Sequence, residues 1–300
     1  MKKRAVTMIV GLGLALGAGC AQPQGQGQGQ GTARRALRYA DESQAAYARA
    51  MTLFEAEEWP EATDAFRAIK REYGLSRSGA LAELRLADID FRQEKWAEAL
   101  QGYRAWIRYH AGQAEAAYAR FMIARCYVEQ VPEDWLLVPS SAERDQSTVH
   151  DAEGALSRFL QQHPRATEAA EARTLLRRMR LLMARHELYV ADFYASRERW
   201  NAAISRLLGV VEDFEDAGVV PEALLTLGEV YLRAGRTPEA RGAFEELLQA
   251  HGRSPQAPAA RTLLARAGRG AVIPVRVAQE AEPEAEAGAE PEPEAESATP

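Results

Sequence analysis

The 300-residue sequence lacks the motifs of a catalytic site and contains only two cysteines and five histidines. It has no phosphate-binding loop, no nucleophile elbow, no dinucleotide-binding fingerprint and no Cys-x-x-Cys pair. His186-Glu187 begins like a zinc motif, but Val190 stands where the second histidine is required. The sequence therefore predicts no catalytic, cofactor-binding or metal-binding residues, and an enzyme with an appended domain is the weakest reading.

The central part of the chain also lacks a large excess of charge of either sign. The formal charge of −6 includes three positive residues at the N-terminus and eight glutamates in residues 279–300. Without these two segments the central part carries a charge of only −1. A nucleic-acid-binding protein usually shows a clear excess of basic residues, so this class of function is excluded.

The N-terminus has the form of a secretory signal peptide. Three basic residues precede an apolar run, Ala5–Ala18, which is too short to span a membrane as a helix. The following Leu16-Gly-Ala-Gly-Cys20 resembles a lipobox, with the leucine one residue further from the cysteine than usual. We predict a signal peptide over residues 1–19 and lipid on Cys20; the alternative is ordinary signal cleavage without lipid.

Low-complexity segments flank the central part of the chain. Residues 20–35 begin with a Gln/Gly run, which is typical of a flexible tether that would let a lipid-anchored domain clear the bilayer. Ala21, rather than Asp, after the cysteine suggests the outer membrane. Residues 279–300 contain eight Glu and four Pro, so we predict a disordered tail over residues 269–300. With Cys20 lipidated, Cys126 has no disulfide partner and is predicted to be a buried small apolar residue.

Residues 36–268 are rich in helix-forming residues and contain an internal repeat. An alanine is followed four residues later by a large apolar residue, and seven residues after that by an aromatic residue or histidine. The pattern occurs five times, at Ala62/Phe66/Tyr73, Ala99/Tyr103/His110, Ala152/Leu156/His163, Ala203/Leu207/Phe214 and Ala240/Phe244/His251. A small residue also recurs upstream, at Ala50, Ala87, Ala124, Ala191 and Gly228. Paired helices need small residues where they approach closely and large residues to fill the space between pairs.

The fifth repeat carries a recognisable signature. Leu227-Gly228-x-x-Tyr231, followed by Gly235 and Ala240, is the pattern of tetratricopeptide repeats, with a period near 37 residues here. The predicted fold is therefore all-α: a superhelical stack of about five helix pairs over residues 36–268. Trp59, Trp96 and Trp200 are predicted to lie at the turns within pairs.

The third repeat departs from this register at two places. An insertion over residues 129–149 contains Pro132 and Pro139 and is predicted to be a loop. The segment Thr167–Ser196 has no glycine or proline and has apolar residues at helical spacing, which predicts one unusually long helix. Arg173, Arg177 and Arg180 share a face of this helix, either as a solvated stripe or as a surface for an acidic partner.

These departures resemble the BamD family, the tetratricopeptide lipoproteins of the bacterial β-barrel assembly machinery. The resemblance covers about residues 46–248 and rests on Arg144-Asp145 with His163-Pro164 and on His186-Glu187 leading into Trp200-x-Ala-Ala-Ile-x-Arg206. The acidic tail has no counterpart in the family pattern.

The resemblance implies a scaffold at the periplasmic face of the outer membrane, anchored there by its lipid. Its partners would be a POTRA-containing barrel subunit, bound by the C-terminal repeats, and unfolded outer-membrane proteins, bound by the N-terminal repeats. Arg206 occupies the family's arginine position and is the candidate contact to the POTRA domain, with Arg144 and Asp145 as further partner-binding candidates. The alternative for Arg206 is a solvated helix residue.

Six apolar residues at helical spacing are candidates for a peptide-binding groove in the N-terminal repeats. They are Tyr47, Phe54, Trp59, Leu84, Phe91 and Trp96. Most residues of these types in a repeat form core between helices, so we expect only a minority to contact a peptide. The alternative function is that of a general periplasmic adaptor that organises envelope or peptidoglycan-associated proteins.

Overall fold

The computed structural model describes residues 26–132 and 145–268. The predicted signal peptide, the lipidation site Cys20, the partner-binding candidate Arg144 and the acidic tail lie outside these residues. In the part of the chain that is described, all regular structure is helical. The prediction of an all-α fold is confirmed.

Eleven α-helices form the described residues, and most are 11–16 residues long. In chain order they are α1 (Gln26–Glu55), α2 (Trp59–Tyr73), α3 (Arg77–Arg92), α4 (Trp96–His110), α5 (Ala116–Glu129), α6 (Ser147–Gln162), α7 (Ala169–Ser196), α8 (Trp200–Asp213), α9 (Val220–Arg233), α10 (Thr237–His251) and α11 (Ala257–Ala267). The chain divides into two compact units, residues 1–93 with α1 to α3 and residues 94–300 with α4 to α11. Within the described residues no helix is long and apolar enough to cross a membrane.

The repeat positions identified in the sequence form the cores of both units. The five marker alanines and the five large residues that follow them are fully buried, at 0 % exposure. The small upstream residues, from Ala50 to Gly228, are buried as well. In the second unit, Leu207 and Phe244 belong to one apolar cluster that joins α7, α8, α9, α10 and α11. The prediction that these repeat positions form the core is therefore confirmed.

The turns within pairs share one backbone conformation. Glu57, Glu94, Glu198 and Gly235 each have a positive φ, between 58° and 74°, and each precedes the second helix of its pair by two residues. In three of these turns the next residue donates its N–H to a carbonyl five residues earlier, with N···O distances of 2.8–3.0 Å. This bond closes the first helix and reverses the chain. The tryptophans predicted at these turns, such as Trp200, are each the first residue of the second helix.

The turns between pairs are also alike. At the end of each second helix, the carbonyl of the marker aromatic residue or histidine accepts a hydrogen bond from the N–H three residues later. The donors and acceptors are Ser76 to Tyr73, Gln113 to His110, Ala166 to His163, Ala217 to Phe214 and Ser254 to His251, at 2.8–3.2 Å. This bond uses the backbone carbonyl and does not depend on the side chain, whereas the rings of His110 and His163 pack on Trp106 and Phe159, at 5.1 Å and 5.7 Å between ring centroids.

α7 is 28 residues long and packs on both of its neighbours in the second unit. Its predicted range, Thr167–Ser196, agrees with the structure within two residues. Ala184, in the middle of the helix, contacts a cluster that includes Val210 and Phe214. Ala191 and Ala195, near its end, join the core formed with α8 and α9. One continuous helix thus links α6 to the last repeats.

Two predicted boundaries differ from the structure. α1 begins at Gln26, so part of the segment assigned to the tether, residues 20–35, is helical. Extending an existing helix requires no new nucleation, which lets α1 continue into a Gln/Gly-rich stretch. α6 begins at Ser147, so the last three residues of the predicted loop are helical, and the Asp145 carboxylate accepts a hydrogen bond from the first N–H of this helix.

Candidate partner-binding site

The first unit presents a half-exposed aromatic face built from α1, α2 and α3. The rings of Tyr47 and Phe54 lie 5.7 Å and 6.3 Å from the ring of the fully buried Phe66. Trp59 packs edge-on against Phe54, with 5.5 Å between ring centroids. Tyr47, Phe54 and Trp59 are each only partly buried, whereas Leu84 is fully buried and belongs to the core. Of these four groove candidates, three therefore pack on the core of the unit while keeping part of their surface exposed.

An arginine places a charge beside this aromatic face. Arg85 donates from Nε to the Tyr47 hydroxyl at 3.1 Å and forms an ion pair with the buried Asp88. Its guanidinium also lies 6.0 Å from the centre of the Phe54 ring. These contacts fix the orientation of Tyr47 and Phe54, so the face is organised without a ligand. No sequence pattern pointed to this arginine, because Arg85 and Tyr47 are 38 residues apart.

The other two groove candidates belong to different units. Phe91 lies near the end of α3 in the first unit, and Trp96 begins α4 in the second; each side chain is partly buried. Both make contacts within the protein.

Arg206 lies on α8 and is held by a carboxylate of α7. Its Nη1 atom donates to both carboxylate oxygens of Glu187, at 2.9 Å and 3.2 Å. The Arg206 side chain is 46 % exposed, and the Glu187 side chain is 26 % exposed. Within the described residues, Nε and Nη2 of Arg206 have no hydrogen-bond partner, so these donors face solvent. The ion pair fixes the position of the guanidinium while leaving donors for a second carboxylate.

Asp145 has a local structural role at the start of α6. Its Oδ1 atom accepts from the Ser147 N–H at 3.1 Å, and its Oδ2 atom accepts from the Ser147 hydroxyl at 2.6 Å. These two hydrogen bonds lower the pKa of the Asp145 carboxyl below its ordinary value. The carboxylate therefore stays ionised, and its two hydrogen bonds with Ser147 hold the start of α6.

Arg180 differs from the two arginines with which it shares a face of α7. It donates to the Asp216 carboxylate at 2.6 Å and to the Asp213 carbonyl, lies 4.0 Å from a carboxylate oxygen of Glu153, and lies 5.5 Å from the centre of the Phe214 ring. Arg180 thus ties α7 to α6 and to the turn after α8. The interpretation of Arg180 as part of a solvated stripe is wrong, because its acceptors come from distant parts of the sequence.

Exposed aromatic residues on α7 were missed by the sequence analysis. Tyr189 and Phe193 are one helical turn apart, and each is 43 % exposed. The Arg197 guanidinium lies 3.6 Å from the centre of the Phe193 ring. Tyr189 and Phe193 have the same helical spacing as core residues, so the sequence pattern alone did not distinguish these exposed residues from buried ones.

Cys126 and the histidines show no arrangement for chemistry. Burial raises the pKa of the Cys126 thiol to about 12, with the Glu129 carboxylate adding to the effect, so the thiolate is disfavoured. Burial also lowers the pKa of the His163 imidazole, as does the Arg120 guanidinium. No group of residues suited to a metal ion occurs among the described parts of the chain.

Two family models match the chain. The model of YfiO, described as an outer membrane lipoprotein, matches residues 39–247, which is more than half of the sequence. A tetratricopeptide-repeat model matches residues 225–287. Both describe families of protein-interaction scaffolds rather than enzymes.

The curated relatives described here are named "Outer membrane protein assembly factor BamD". The protein of Caulobacter vibrioides is 29 % identical over 174 residues, which is 58 % of this chain and 54 % of that protein. That of Pasteurella multocida is 30 % identical over 90 residues, covering 30 % of this chain and 35 % of the relative. That of Vibrio cholerae is 22 % identical over 187 residues, covering 62 % and 78 %. The chain thus spans about half of the first relative's length and about a third of the second's.

Solved structures that match the chain include two tetratricopeptide-repeat proteins. A thermophilic protein of Thermus thermophilus is 18 % identical, with a TM-score of 0.32, and the match covers 76 % of this chain and 99 % of that one. The TPR2AB domain of yeast Sti1 is 11 % identical, with a TM-score of 0.40, covering 77 % and 84 %.

Proposed function

The chain belongs to the YfiO family of outer membrane lipoproteins, and on that basis we propose that it is a non-enzymatic scaffold of the β-barrel assembly machinery. In this role it couples a POTRA-bearing barrel subunit to unfolded outer-membrane proteins at the periplasmic face of the outer membrane. Lipid on Cys20 would hold it there. The observation that carries the proposal is the family match over residues 39–247, which extends from α1 into α10 and so includes helices of both units.

Arg206 is the proposed contact to the POTRA domain. The guanidinium is held at a defined position by Glu187, and it keeps donors directed to solvent. A partner carboxylate that bound these donors would join an existing ion pair, so little side-chain freedom would be lost on binding. Arg144 and Asp145, at the start of α6, are proposed as a second contact on the same unit.

The aromatic face of the first unit is the proposed site for clients. Unfolded outer-membrane proteins expose apolar and aromatic side chains, which partly exposed rings such as Tyr47 and Phe54 can contact. The Arg85 guanidinium lies beside these rings, and its positive charge would favour a carboxylate or a backbone carbonyl oxygen of the client at this position. Phe91, on the same unit, is proposed as a further client contact, and Trp96 is proposed as a separate client contact on the second unit.

The test of the proposal uses Arg206→Glu in the full-length protein. Loss of one exposed ion pair costs the fold no more than about 1 kcal/mol. Loss of an arginine from a buried interfacial pair costs binding about 2–5 kcal/mol. We therefore expect the variant to keep its helical circular dichroism and melting temperature, while a POTRA-containing protein no longer co-purifies from detergent-solubilised envelopes.

A matched control separates the partner contact from the internal ion pair. Glu187→Gln removes the Arg206–Glu187 ion pair but keeps the arginine, so it should reduce co-purification far less than Arg206→Glu does. If both variants lose the partner equally, the internal ion pair, and not the contact of Arg206 with a partner, is responsible. If the wild-type protein captures no POTRA-containing protein at all, the role in barrel assembly is refuted, and a general periplasmic adaptor remains.

A further inference from the structure

Three exposed arginines near the start of α7 have no acidic partner. Arg173 and Arg177 are one helical turn apart on the same face, and Arg173 donates to the Pro164 carbonyl at 2.9 Å. That contact places Arg173 beside the turn that carries Arg165. Arg177 donates only to the Thr174 hydroxyl, at 3.3 Å. Across residues 26–132 and 145–268, no carboxylate lies within 4.0 Å of these three guanidinium groups.

The acidic residues in this part of the molecule are directed elsewhere. Glu171 forms an ion pair with Arg125 at 3.3 Å, and Asp216 forms one with Arg180 at 2.6 Å. The N-terminal end of a helix also carries partial positive charge from its free N–H groups. Arg165, Arg173 and Arg177, which we call the arginine face, therefore lie in and just before the first turns of α7, with no described carboxylate within 4.0 Å to neutralise them.

The same chain contains a segment of opposite charge. Residues 279–300 have eight glutamates and no basic residue, arranged as two runs in which glutamate occurs at every second position. The runs comprise residues 280–286 and 290–296. In an extended chain, alternate residues point to the same side about 6.6 Å apart. Arg173 and Arg177 are separated by about 6 Å along the helix axis, so the spacings match.

The connecting chain is long enough for the segment to reach this face. α7, α8, α9 and α11 contact one another in sequence, and neighbouring helices lie about 10 Å apart. Three such spacings across the stack, combined with the length of α7 between Arg173 and its C-terminal end, place the end of α11 within roughly 45 Å of Arg173. Residue 290 follows Gly268 by 22 residues, which span up to about 70 Å when extended. The second glutamate run can therefore reach the arginine face without being fully extended.

We propose that the acidic segment, residues 279–300, binds the arginine face of its own chain. Each exposed ion pair is weak, but the segment is tethered, so its effective concentration at the face is on the order of millimolar. Several weak pairs at that concentration populate the bound state at low ionic strength. Salt screens exposed pairs, so the contact is released as ionic strength rises.

The experiment measures cleavage of the tail by a glutamate-specific protease in the full-length protein at low salt. The variant Arg173→Glu/Arg177→Glu is compared with Arg253→Glu/Arg266→Glu, which makes the same charge change at two exposed arginines near and on α11. We expect cleavage after Glu294 and Glu296, the glutamates of this run that are not followed by proline, to become about tenfold faster in the first variant, since two pairs are lost and replaced by repulsion. The second variant should change the rate less than about twofold.

Three outcomes overturn the proposal. Equal rates in the wild-type protein and both variants would mean that the segment does not bind. Equal acceleration in both variants would mean that it is attracted to basic residues in general rather than to this face. A rate in the wild-type protein that does not increase with salt would rule out an ionic contact. Arg173→Gln/Arg177→Gln, which adds no repulsion, replaces the charge reversal if that variant fails to show a wild-type circular dichroism spectrum.

Discussion

The ring of Phe244 lies so close to Gly228 that a Cβ atom on residue 228 would stand 2.2 Å from the Phe244 Cε1 atom. Gly228 is on α9 and Phe244 on α10, and both are buried. In the other repeats the equivalent small residue is alanine, for example Ala50 opposite Phe66. The fifth pair therefore approaches more closely at this point than an alanine permits.

Gly228→Ala is expected to destabilise the protein. The added methyl group has to displace a fully buried ring, and such overpacking costs about 1–3 kcal/mol. Gly242→Ala is the matched control, because a Cβ at residue 242 of α10 meets nothing within 4 Å. It should stabilise by about 0.5–1 kcal/mol through helix propensity. Urea unfolding measures both; effects of the same sign would contradict the role of the Phe244 contact.

Glu198→Gly is expected to stabilise the protein by about 0.5–1 kcal/mol, because Glu198 has a φ of 58° in the turn between α7 and α8. The equivalent turn before α10 already uses Gly235, with a φ of 74°. Glu198→Ala retains a Cβ, so it should leave the free energy of unfolding nearly unchanged. A gain of stability in the alanine variant would instead point to the removed carboxylate.

Protonation of His163 is expected to weaken the fold at acidic pH. Burial, then Arg120, lowers the pKa of this imidazole, while Glu168 partly opposes the shift. The unfolded chain then binds the proton more tightly, so this contribution to stability is complete above the ordinary pKa and is lost as pH falls through the lowered one. His163→Phe, which places at this turn the residue found at position 214, should show a smaller loss of unfolding free energy between about pH 7 and pH 5. An unchanged pH dependence would exclude His163 as the titrating group.

Cys20 is expected to carry lipid in the mature protein. The basic residues, the apolar run and the near-lipobox predict this modification. Intact-mass measurement of protein extracted from membranes should show a mature chain that begins at residue 20 and carries acyl groups. Cys20→Ser should give a species without these groups, and an unmodified wild-type N-terminus would disprove the anchor.

The sequence predicted the repeat register well, because the positions that define it repeat locally. Ala203 and Leu207, for example, are four residues apart on one helix, and their burial follows from that spacing. The contacts of Arg180 were not predictable in this way, since Asp216 is 36 residues distant. The left-handed turns at Glu57, Glu94 and Glu198 were missed because glutamate gives no signal for positive φ.

The candidate site was predicted in part. Tyr47 and Leu84 have the same helical spacing pattern, yet Tyr47 is partly exposed beside Arg85 and Leu84 is fully buried. Which side of a helix faces solvent depends on the neighbouring helices, and these are set by tertiary packing. Arg206 was predicted from the resemblance to the family, whereas its ion pair with Glu187 depends on the packing of α8 against α7.

The unbroken length of α7 sets the orientation of the helices that follow it, α8 to α11, relative to α6. An α-helix turns by 100° and rises 1.5 Å for each residue, so deleting one residue between Met179 and Ala184 would rotate α8 to α11 by 100° about the α7 axis relative to α6. An exposed residue of α7, such as Arg185, can therefore be substituted at little cost but cannot be removed. In α7 the number of residues, more than their identity, sets the direction in which the last repeats face.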